Sequence, residues 1–323
     1  MSPAGKWIRR AVFVFSMICF GWVLWPLLRH GAELRESLNG GVLLAATALG
    51  AVCYAVLSVL LALAWWWLAG IYGRRPPVRT SYSIYSRSQL AKYLPGNAFH
   101  YVSRQLLGRG AGLSHQALVA SGLLELGSLL LAALLAGGAG LALFGSAGAS
   151  DLVAWPWVLA VGVGGLLAWP GLDLVLRRLP LSSSWMADLP HLSLLRTLSL
   201  LGPSLFLHLL FFFGTGALLV LLVAASREGF GREAWNLFWV YPVAWMAGFV
   251  SVGAPAGVGV REAVLSLELG SVLGSAQAAA VALALRLATT GGDLLTAAAG
   301  WWLGEASPAQ ITSDLRCKGD GRR

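Results

Sequence analysis

Charged residues are scarce in this chain of 323 residues, where Asp, Glu, Lys and Arg together make up 11%. Soluble globular domains carry about 25% charged residues, so the composition excludes a water-soluble enzyme, a disordered chain and a collagen-like fibre. Hydrophobic residues reach 57%, and the mean hydropathy is +0.72. The sequence therefore predicts an all-α, polytopic integral membrane protein.

Cysteine and acidic residues are also sparse. Cys19 and Cys53 lie within apolar runs and Cys317 lies near the end of the chain, so neither a disulfide framework nor a metal site is expected. We likewise expect no cofactor. The 23 Lys and Arg residues outnumber the 14 Asp and Glu residues, for a net charge of +9. We attribute this excess to cytoplasmic loops and expect no nucleic acid partner.

Six apolar runs are long enough to cross a bilayer, which takes about 20 residues. They are 11–28, 41–71, 114–144, 152–169, 199–225 and 275–303. Two other regions, 82–110 and 235–270, are broken by polar residues or by glycine and proline. Irregular backbone is tolerated at membrane depth only where protein or water satisfies it. We therefore predict six full spans and two re-entrant hairpins, or eight hydrophobic passes if each hairpin is counted.

Basic residues indicate the orientation. Those on the predicted inner side are Arg74, Arg75, Arg79, Arg177, Arg178, Arg196, Arg316, Lys318, Arg322 and Arg323. The predicted outer loops contain only Arg29, Arg35, Arg227 and Arg232, each with glutamates nearby. Because Lys and Arg accumulate in cytoplasmic loops, both termini are predicted to be cytoplasmic.

The same order of elements occurs twice in a single membrane domain, 1–323. The first half, 1–145, contains the hairpin 82–110, and the second half, 152–304, contains the hairpin 235–270; a cytoplasmic tail, 305–323, follows. Each half holds three full spans, so the second half is predicted to be inverted relative to the first. Paired, interrupted segments at corresponding positions indicate the central site of a transporter.

The second hairpin contains the sharpest candidate site. Pro255, Gly257 and Gly259 precede a short helix predicted to begin near Val260, followed by Arg261 and Glu262. A helix N-terminus attracts anions, and arginine can bind phosphate through two donors. We therefore expect a lipid phosphate here. The alternative is a simple turn whose charged residues lie among the lipid head groups.

Buried charges are predicted in two long helices. Arg286 lies near the middle of an apolar run, where an arginine costs about 2.5–3.5 kcal/mol, and Asp293 follows on the same face. Glu125 occupies the matching helix of the first half. Arg286 is expected either to pair with Glu125 or to bind the lipid phosphate. Glu125 and Asp293 are candidates for proton coupling.

The first hairpin is basic around a turn. Pro95 and Asn97 lie in the turn, with Lys92 before it and Arg104 after it. These residues are expected to line a hydrogen-bonding vestibule on the cytoplasmic side. The alternative is contact with anionic head groups of the inner leaflet.

Three segments carry a resemblance to a known family. The segment Tyr93-Leu94-Pro95-Gly96-Asn97, followed by Arg104, Gly112-Leu113-Ser114 and Glu125, resembles the first signature of the lysylphosphatidylglycerol synthetase transmembrane-region family, which is flippase-like. The stretch 253–263, with Arg261 and Glu262, resembles its second signature. Ala284-Leu285-Arg286-Leu287 resembles its arginine-bearing last long helix. Ala256 stands where the family often has glycine.

The resemblance implies a lipid-handling protein of the bacterial cytoplasmic (inner) membrane. The chain printed here ends about twenty residues after its last span, so we expect a stand-alone member without the soluble aminoacyl-transferase domain. Our leading hypothesis is flippase-like translocation of an anionic lipid or lipid-linked head group, with a phospholipid or a polyprenyl-linked lipid as partner. The expected substrate-binding residues are Arg261, Glu262, Arg286, Gly257, Gly259, Glu125, Arg104, Asn97, Pro95 and Pro255.

Two other functions stay open. One is a non-catalytic scaffold that binds a lipid or envelope biosynthesis enzyme. The other is a membrane-embedded enzyme that acts on lipid phosphates or transfers glycosyl groups. The sequence favours a transporter over an enzyme, because the acidic residues outside the spans have no Asp-x-Asp motif or histidine partner.

Overall fold

The computed structural model describes residues 40–71, 75–94, 99–144, 194–226, 235, 237–251 and 255–304. Within these ranges it contains eight α-helices, two 3₁₀ turns and no strand, so the all-helical class is confirmed. The helices are α1 (Gly40–Ala69), α2 (Val78–Gln89), α3 (Phe99–Gly110), α4 (His115–Phe144), α5 (Leu194–Ser226), α6 (Val240–Val250), α7 (Val260–Leu273) and α8 (Ser275–Trp302). The 3₁₀ turns are Leu90–Tyr93 and Pro255–Gly257.

Four helices are long and apolar enough to cross a membrane. Their candidate spans are Gly41–Ala69, His115–Gly140, Ser199–Ser226 and Ser275–Trp302. At about 1.5 Å per residue, even the shortest is roughly 39 Å long, which exceeds the hydrocarbon core of about 30 Å. These helices coincide with four of the six predicted spans and establish a multi-pass membrane protein. The other two predicted spans, 11–28 and 152–169, and the tail, 305–323, lie outside the described residues.

Small residues bring the long helices together. A Cβ atom built on Gly292 of α8 would lie 2.8 Å from the carbonyl oxygen of Ala51 in α1 and 2.7 Å from the Tyr54 ring. Gly50 of α1 faces both Ala288 of α8 and Leu218 of α5. Close backbone approach through glycine and alanine is how membrane helices maximise van der Waals contact.

The register of these contacts gives the helix directions. Residues 50 and 51 of α1 face residues 288 and 291 of α8, so the two helices run parallel. Residues 50 and 57 of α1 face residues 218 and 214 of α5, so that pair is antiparallel. Helix α4 runs parallel to α5, because Leu200 belongs to the same buried cluster as Leu124, and His208, further along α5, hydrogen-bonds to Ser128, further along α4. Consequently the start of α4 and the end of α8 lie at the same end of the bundle.

The first hairpin, 82–110, appears as α2, a 3₁₀ turn and α3. It begins beside the end of α8, where the Ser83 hydroxyl donates to the carbonyl of Gly300 at 2.9 Å. It ends beside the start of α4, where Gly108 packs against Leu118. The serines of α2 are mostly buried between the helices, as expected for a polar segment sheltered by protein. Pro95 and Asn97, which the sequence places in a turn, lie outside the described residues.

The second hairpin, 235–270, appears as α6, a 3₁₀ turn and α7. Trp239, just before α6, packs against Gly140 near the far end of α4. The chain reverses through Ala256, Gly257 and Gly259, which have φ angles of +50°, +70° and +86°. The hairpin then leads into α8 at Gly274. The two hairpins thus enter the bundle from opposite ends. That the whole halves form an inverted repeat of three spans each stays a prediction.

Candidate functional site

The two hairpins and the long helices enclose a cavity with a free volume of about 80 Å³. One buried water needs about 10–15 Å³ of such free volume, so the cavity has room for several waters or a small polar group. Its charged lining residues are Lys92, Arg104, Glu125, Arg261, Arg286 and Asp293. Aromatic residues supply much of the remaining wall, among them Tyr54, Tyr85, Tyr93, Tyr101, Phe211 and Trp245.

The charged residues lie deep along the long helices. Glu125 is ten residues after His115, the first residue of α4, and Arg286 is eleven residues after Ser275, the first residue of α8. At about 1.5 Å per residue, each lies about 15–17 Å from the start of its helix. This is close to half the thickness of a hydrocarbon core of about 30 Å.

Arg104 and Glu125 form the most deeply buried ion pair, with residue exposures of 3% and 2%. Arg104 Nη1 donates to Glu125 Oε2, and its Nε donates to the Ser88 hydroxyl at 3.4 Å. The guanidinium lies 4.1 Å from the centre of the Tyr85 ring and 5.3 Å from that of Trp65. The pair therefore fastens α3 to α4 and, through Ser88 and Tyr85, to α2.

The predicted pairing of Arg286 with Glu125 is wrong. Arg104 is the partner of Glu125, because only a short turn separates α3 from α4 and brings the two side chains together. Arg286 instead approaches Glu262, with 3.4 Å between Nη1 and Oε1, and Nη1 also donates to the carbonyl of Ala256 at 3.1 Å. The arginine of α8 is thus held at the turn of the second hairpin.

Glu262 serves as the N-terminal cap of α7. Its Oε2 accepts the backbone N–H of Gly259 at 2.7 Å, and the residue is only 1% exposed. Its Oε1 is buried and accepts no hydrogen bond from the described residues, although Arg286 is near. The contact between Glu262 and Arg286 is therefore a loose ion pair without hydrogen-bond geometry.

A third ion pair joins the first hairpin to α8. Lys92 Nζ lies 2.7 Å from Asp293 Oδ2, and the Tyr93 hydroxyl donates to the same oxygen at 2.6 Å. The two residues of the first 3₁₀ turn thus share one carboxylate oxygen of α8, with Tyr93 as a hydrogen-bond donor to it.

Arg261 differs from the other cations of the cavity. In the part of the chain that the structure describes, it has no ion pair, and its Nε is buried without a hydrogen-bond partner. It packs beside Gly248 of α6, where a Cβ atom would lie 3.5 Å from Nε. Asp293, Glu125 and Glu262 neutralise Lys92, Arg104 and Arg286. Since none of the described carboxylates pairs with Arg261, its charge is in excess at the cavity.

The predicted site residues are distributed as follows. Arg104, Glu125, Arg261, Arg286 and Asp293 line one cavity, with Gly257 in its wall. Gly259 and Glu262 stand directly behind that wall at the start of α7. Pro255 opens the 3₁₀ turn, and the structure does not describe its side chain. Pro95 and Asn97 are outside the described residues, so their predicted role is untested.

Sequence reasoning missed the aromatic partners of the cations. Trp65 is fully buried beside Arg104, although its place in a run of three tryptophans at a span end is typical of an interfacial belt. Tyr85 was equally unexpected. The sequence does place Tyr85 and Ser88 three residues apart on a polar helix, so both lie on one face. That spacing is compatible with their shared contact with Arg104.

This arrangement is chemically suited to a phosphate. Arg261, whose Nε has no partner among the described residues, lines the same cavity as Arg286 and as Ala256 and Gly257 of the turn before α7. Anions are stabilised by helix N-termini and by arginine forks. Gly257 lets the backbone of the turn contact Gly248, since a Cβ atom there would lie 2.9 Å from the Gly248 Cα atom.

One family model agrees with this architecture. The model of the lysylphosphatidylglycerol synthase transmembrane region matches residues 8–297, a range that includes both hairpins and every cavity residue named above. No curated protein and no solved structure matches the chain. Since the match covers most of the 323 residues, the protein belongs to the lysylphosphatidylglycerol synthase transmembrane-region family.

Proposed function

We propose that this protein translocates an anionic lipid, or a lipid-linked anionic head group, across the bacterial cytoplasmic membrane. The observation that carries the proposal is the charge of Arg261, which no carboxylate among the described residues compensates, in a cavity whose other charges form ion pairs. Membership of a family of lipid-related membrane proteins supports a lipid as the ligand. The depth of Glu125 and Arg286 along their helices supports a site inside the membrane.

In this mechanism the phosphate binds first to Arg261 and to the backbone amides at the start of α7. Arg286 is the second ligand: its 3.4 Å contact with Glu262 lacks a hydrogen bond, so the guanidinium can bind a phosphate oxygen while it stays beside Glu262. Glu262 does not need to move, since Gly259 continues to bind its other oxygen. Each guanidinium can donate two N–H groups to phosphate oxygens, which is the geometry that phosphate favours.

The hairpins act as the two gates. The first hairpin is attached to α8 by Lys92 and Tyr93, both bound to Asp293. Asp293 is therefore a candidate for coupling transport to protons, since it is the residue of α8 that holds this hairpin. Glu125 is the second candidate for coupling, although its pairing with Arg104 suits it better to holding α3 against α4.

The test is a lipid-flipping assay in proteoliposomes that contain phosphatidylglycerol. We expect Arg261→Ala and Arg286→Ala each to slow flipping by about tenfold or more, since a hydrogen bond to a charged group contributes about 1.5–3 kcal/mol. Arg109→Ala is the matched control, because Arg109 is exposed at the end of α3 and donates to the carbonyl of Leu113, away from the cavity. It should flip lipid at the wild-type rate.

Two results would contradict the proposal. Unchanged flipping by Arg261→Ala would remove the uncompensated arginine from the mechanism. Absence of flipping by the wild-type protein, tested with several anionic lipids, would remove translocation itself.

A further inference from the structure

A second cavity, of about 230 Å³, lies between α3 and α4. Its walls are apolar and come mainly from α4, with Leu118, Val119, Leu123 and Leu126 as the main side chains. Gly122 of α4 also lines it and adds no side chain, so the space stays open. We call this cavity the α3–α4 groove.

The α3–α4 groove adjoins the charged cavity. Tyr101 and Arg104 line both of them. Arg104 is only 3% exposed, yet its Nη2 has no hydrogen-bond partner in the described ranges. Gln105 Oε1, also at the groove, is buried without a partner in those ranges. Unpaired polar atoms of this kind are rare in native structures and usually have a ligand or water.

The groove opens onto an apolar surface. Leu123 is exposed at its wall, and the outer face of α3 presents Val102 and Leu106, which are 52% and 71% exposed. Helix α3 is therefore amphipathic, with Arg104 inside and apolar residues outside. Such a surface is in contact with hydrocarbon when the helix lies within the membrane, so a lipid chain can reach the groove without passing through water.

We infer that the α3–α4 groove holds one acyl chain of the transported lipid while its phosphate occupies the charged cavity. Arg104 Nη2, at the junction, donates to an ester carbonyl of the lipid, which explains why that atom lacks a protein partner. This inference rests on the proposed function and refines it: the substrate is an acylated lipid, and a water-soluble phosphate lacks half of the binding site. An acyl chain gains little free energy when it moves from the lipid into an apolar groove of the protein. The groove therefore contributes shape selectivity and positions the lipid.

Gly122 offers a direct way to fill the groove. A Cβ atom built there meets only the Tyr101 ring, at 3.7 Å, so a side chain can be accommodated next to Tyr101. Gly127, five residues later on the same helix, has no atom within 4 Å of such a Cβ and does not line the groove. Gly122→Leu and Gly127→Leu are therefore a matched pair, and Leu126→Trp fills the groove from another position.

The experiment uses vesicles of phosphatidylcholine with a small fraction of a photoactivatable probe, whose diazirine is on the acyl chain. The probes are phosphatidylglycerol and phosphatidylcholine, and labelled peptides are identified by mass spectrometry. For wild type and Gly127→Leu, we expect residues 115–126 to be labelled preferentially by the phosphatidylglycerol probe. Gly122→Leu and Leu126→Trp should lose this preference while eluting as folded protein. Glycerol phosphate, the soluble head group, should displace the probe poorly.

Several outcomes would overturn the inference. If both probes label residues 115–126 equally, the groove contacts ordinary surrounding lipid. If neither probe labels the wild type there, another segment or a second copy covers the groove. Efficient displacement by glycerol phosphate means that the head group alone is the ligand. If Gly122→Leu keeps selective labelling while Arg261→Ala abolishes flipping, the groove assignment is wrong and the proposed function stands. If selective labelling disappears in Gly122→Leu but the wild type flips no lipid, the groove stands and translocation is wrong.

Discussion

Three buried carboxylates have three different tasks, although the sequence shows each simply as an acid in an apolar setting. Glu125 neutralises Arg104, Glu262 caps α7, and Asp293 binds both Lys92 and Tyr93. Breaking a buried pair by removing one partner is costly, because the other charge stays in a region of low dielectric constant. The arginine without such a partner, Arg261, is therefore the residue best placed to receive an external anion.

Ala256 permits a test of backbone strain at the turn of the second hairpin. Its φ of +50° lies in the left-handed region, where an L-residue other than glycine loses about 1–2 kcal/mol. We expect Ala256→Gly to leave the melting temperature unchanged or to raise stability by up to about 1 kcal/mol, since glycine has its own entropic cost of about 0.5–1 kcal/mol. Thermal unfolding in detergent measures this.

The control is Ala263→Gly, inside α7, where the backbone is helical. Glycine in a helix interior costs about 1 kcal/mol relative to alanine, so this variant should melt at a lower temperature. If Ala256→Gly and Ala263→Gly lose the same amount of stability, the backbone at Ala256 is not strained.

At the scale of elements, each hairpin depends on a long helix to hold it in place. Lys92 and Tyr93 attach the first hairpin to α8, and Arg286 attaches α8 to the turn of the second through the Ala256 carbonyl. Helix α8 therefore contacts both hairpins at the cavity. Loosening either attachment should change access to the cavity from the corresponding end of the bundle.

A double-mutant cycle tests the attachment of the first hairpin. We expect Lys92→Ala and Asp293→Asn to destabilise the protein non-additively, with an interaction energy of about 0.5–3 kcal/mol, as for residues in direct contact. Thermal unfolding of the single and double variants gives the value.

Arg79→Ala combined with Asp293→Asn is the control cycle. Arg79 donates to the carbonyl of Leu303, ten residues after Asp293, so the two effects should add within about 0.3–0.5 kcal/mol. Additivity in the Lys92 cycle would mean that the ion pair does not hold the hairpin.

At the scale of the whole molecule, the two hairpins approach one cavity from opposite ends of the bundle. The first begins near Leu303 and ends near Leu118, and the second begins near Gly140 and leads into Ser275. A transporter with alternating access opens its central site to one side of the membrane at a time. Hairpins at opposite ends of the bundle would allow each side to be closed separately.

Cysteine labelling of whole cells tests whether each hairpin enters and leaves on one side. In a background without native cysteines, we expect Arg79→Cys and Gly110→Cys, which flank the first hairpin, both to resist a membrane-impermeant maleimide. Ser271→Cys, exposed at the end of the second hairpin, should react. Arg79→Cys and Gly110→Cys should react once the membrane is opened. Labelling of Gly110→Cys alone in intact cells would mean that the first hairpin crosses the membrane.

The membrane class, the positions of four spans and the two interrupted regions can be predicted from composition and pattern, because hydrophobic length and helix-breaking residues are local properties. The sequence also pointed to Arg286, Glu125 and Asp293 as charges within the spans, since an isolated charge in an apolar run stands out. Which residue pairs with which became clear only from the three-dimensional packing. Lys92 and Asp293 are 201 residues apart, and whether Glu125 meets Arg104 or Arg286 depends on helix directions and register, which composition does not encode.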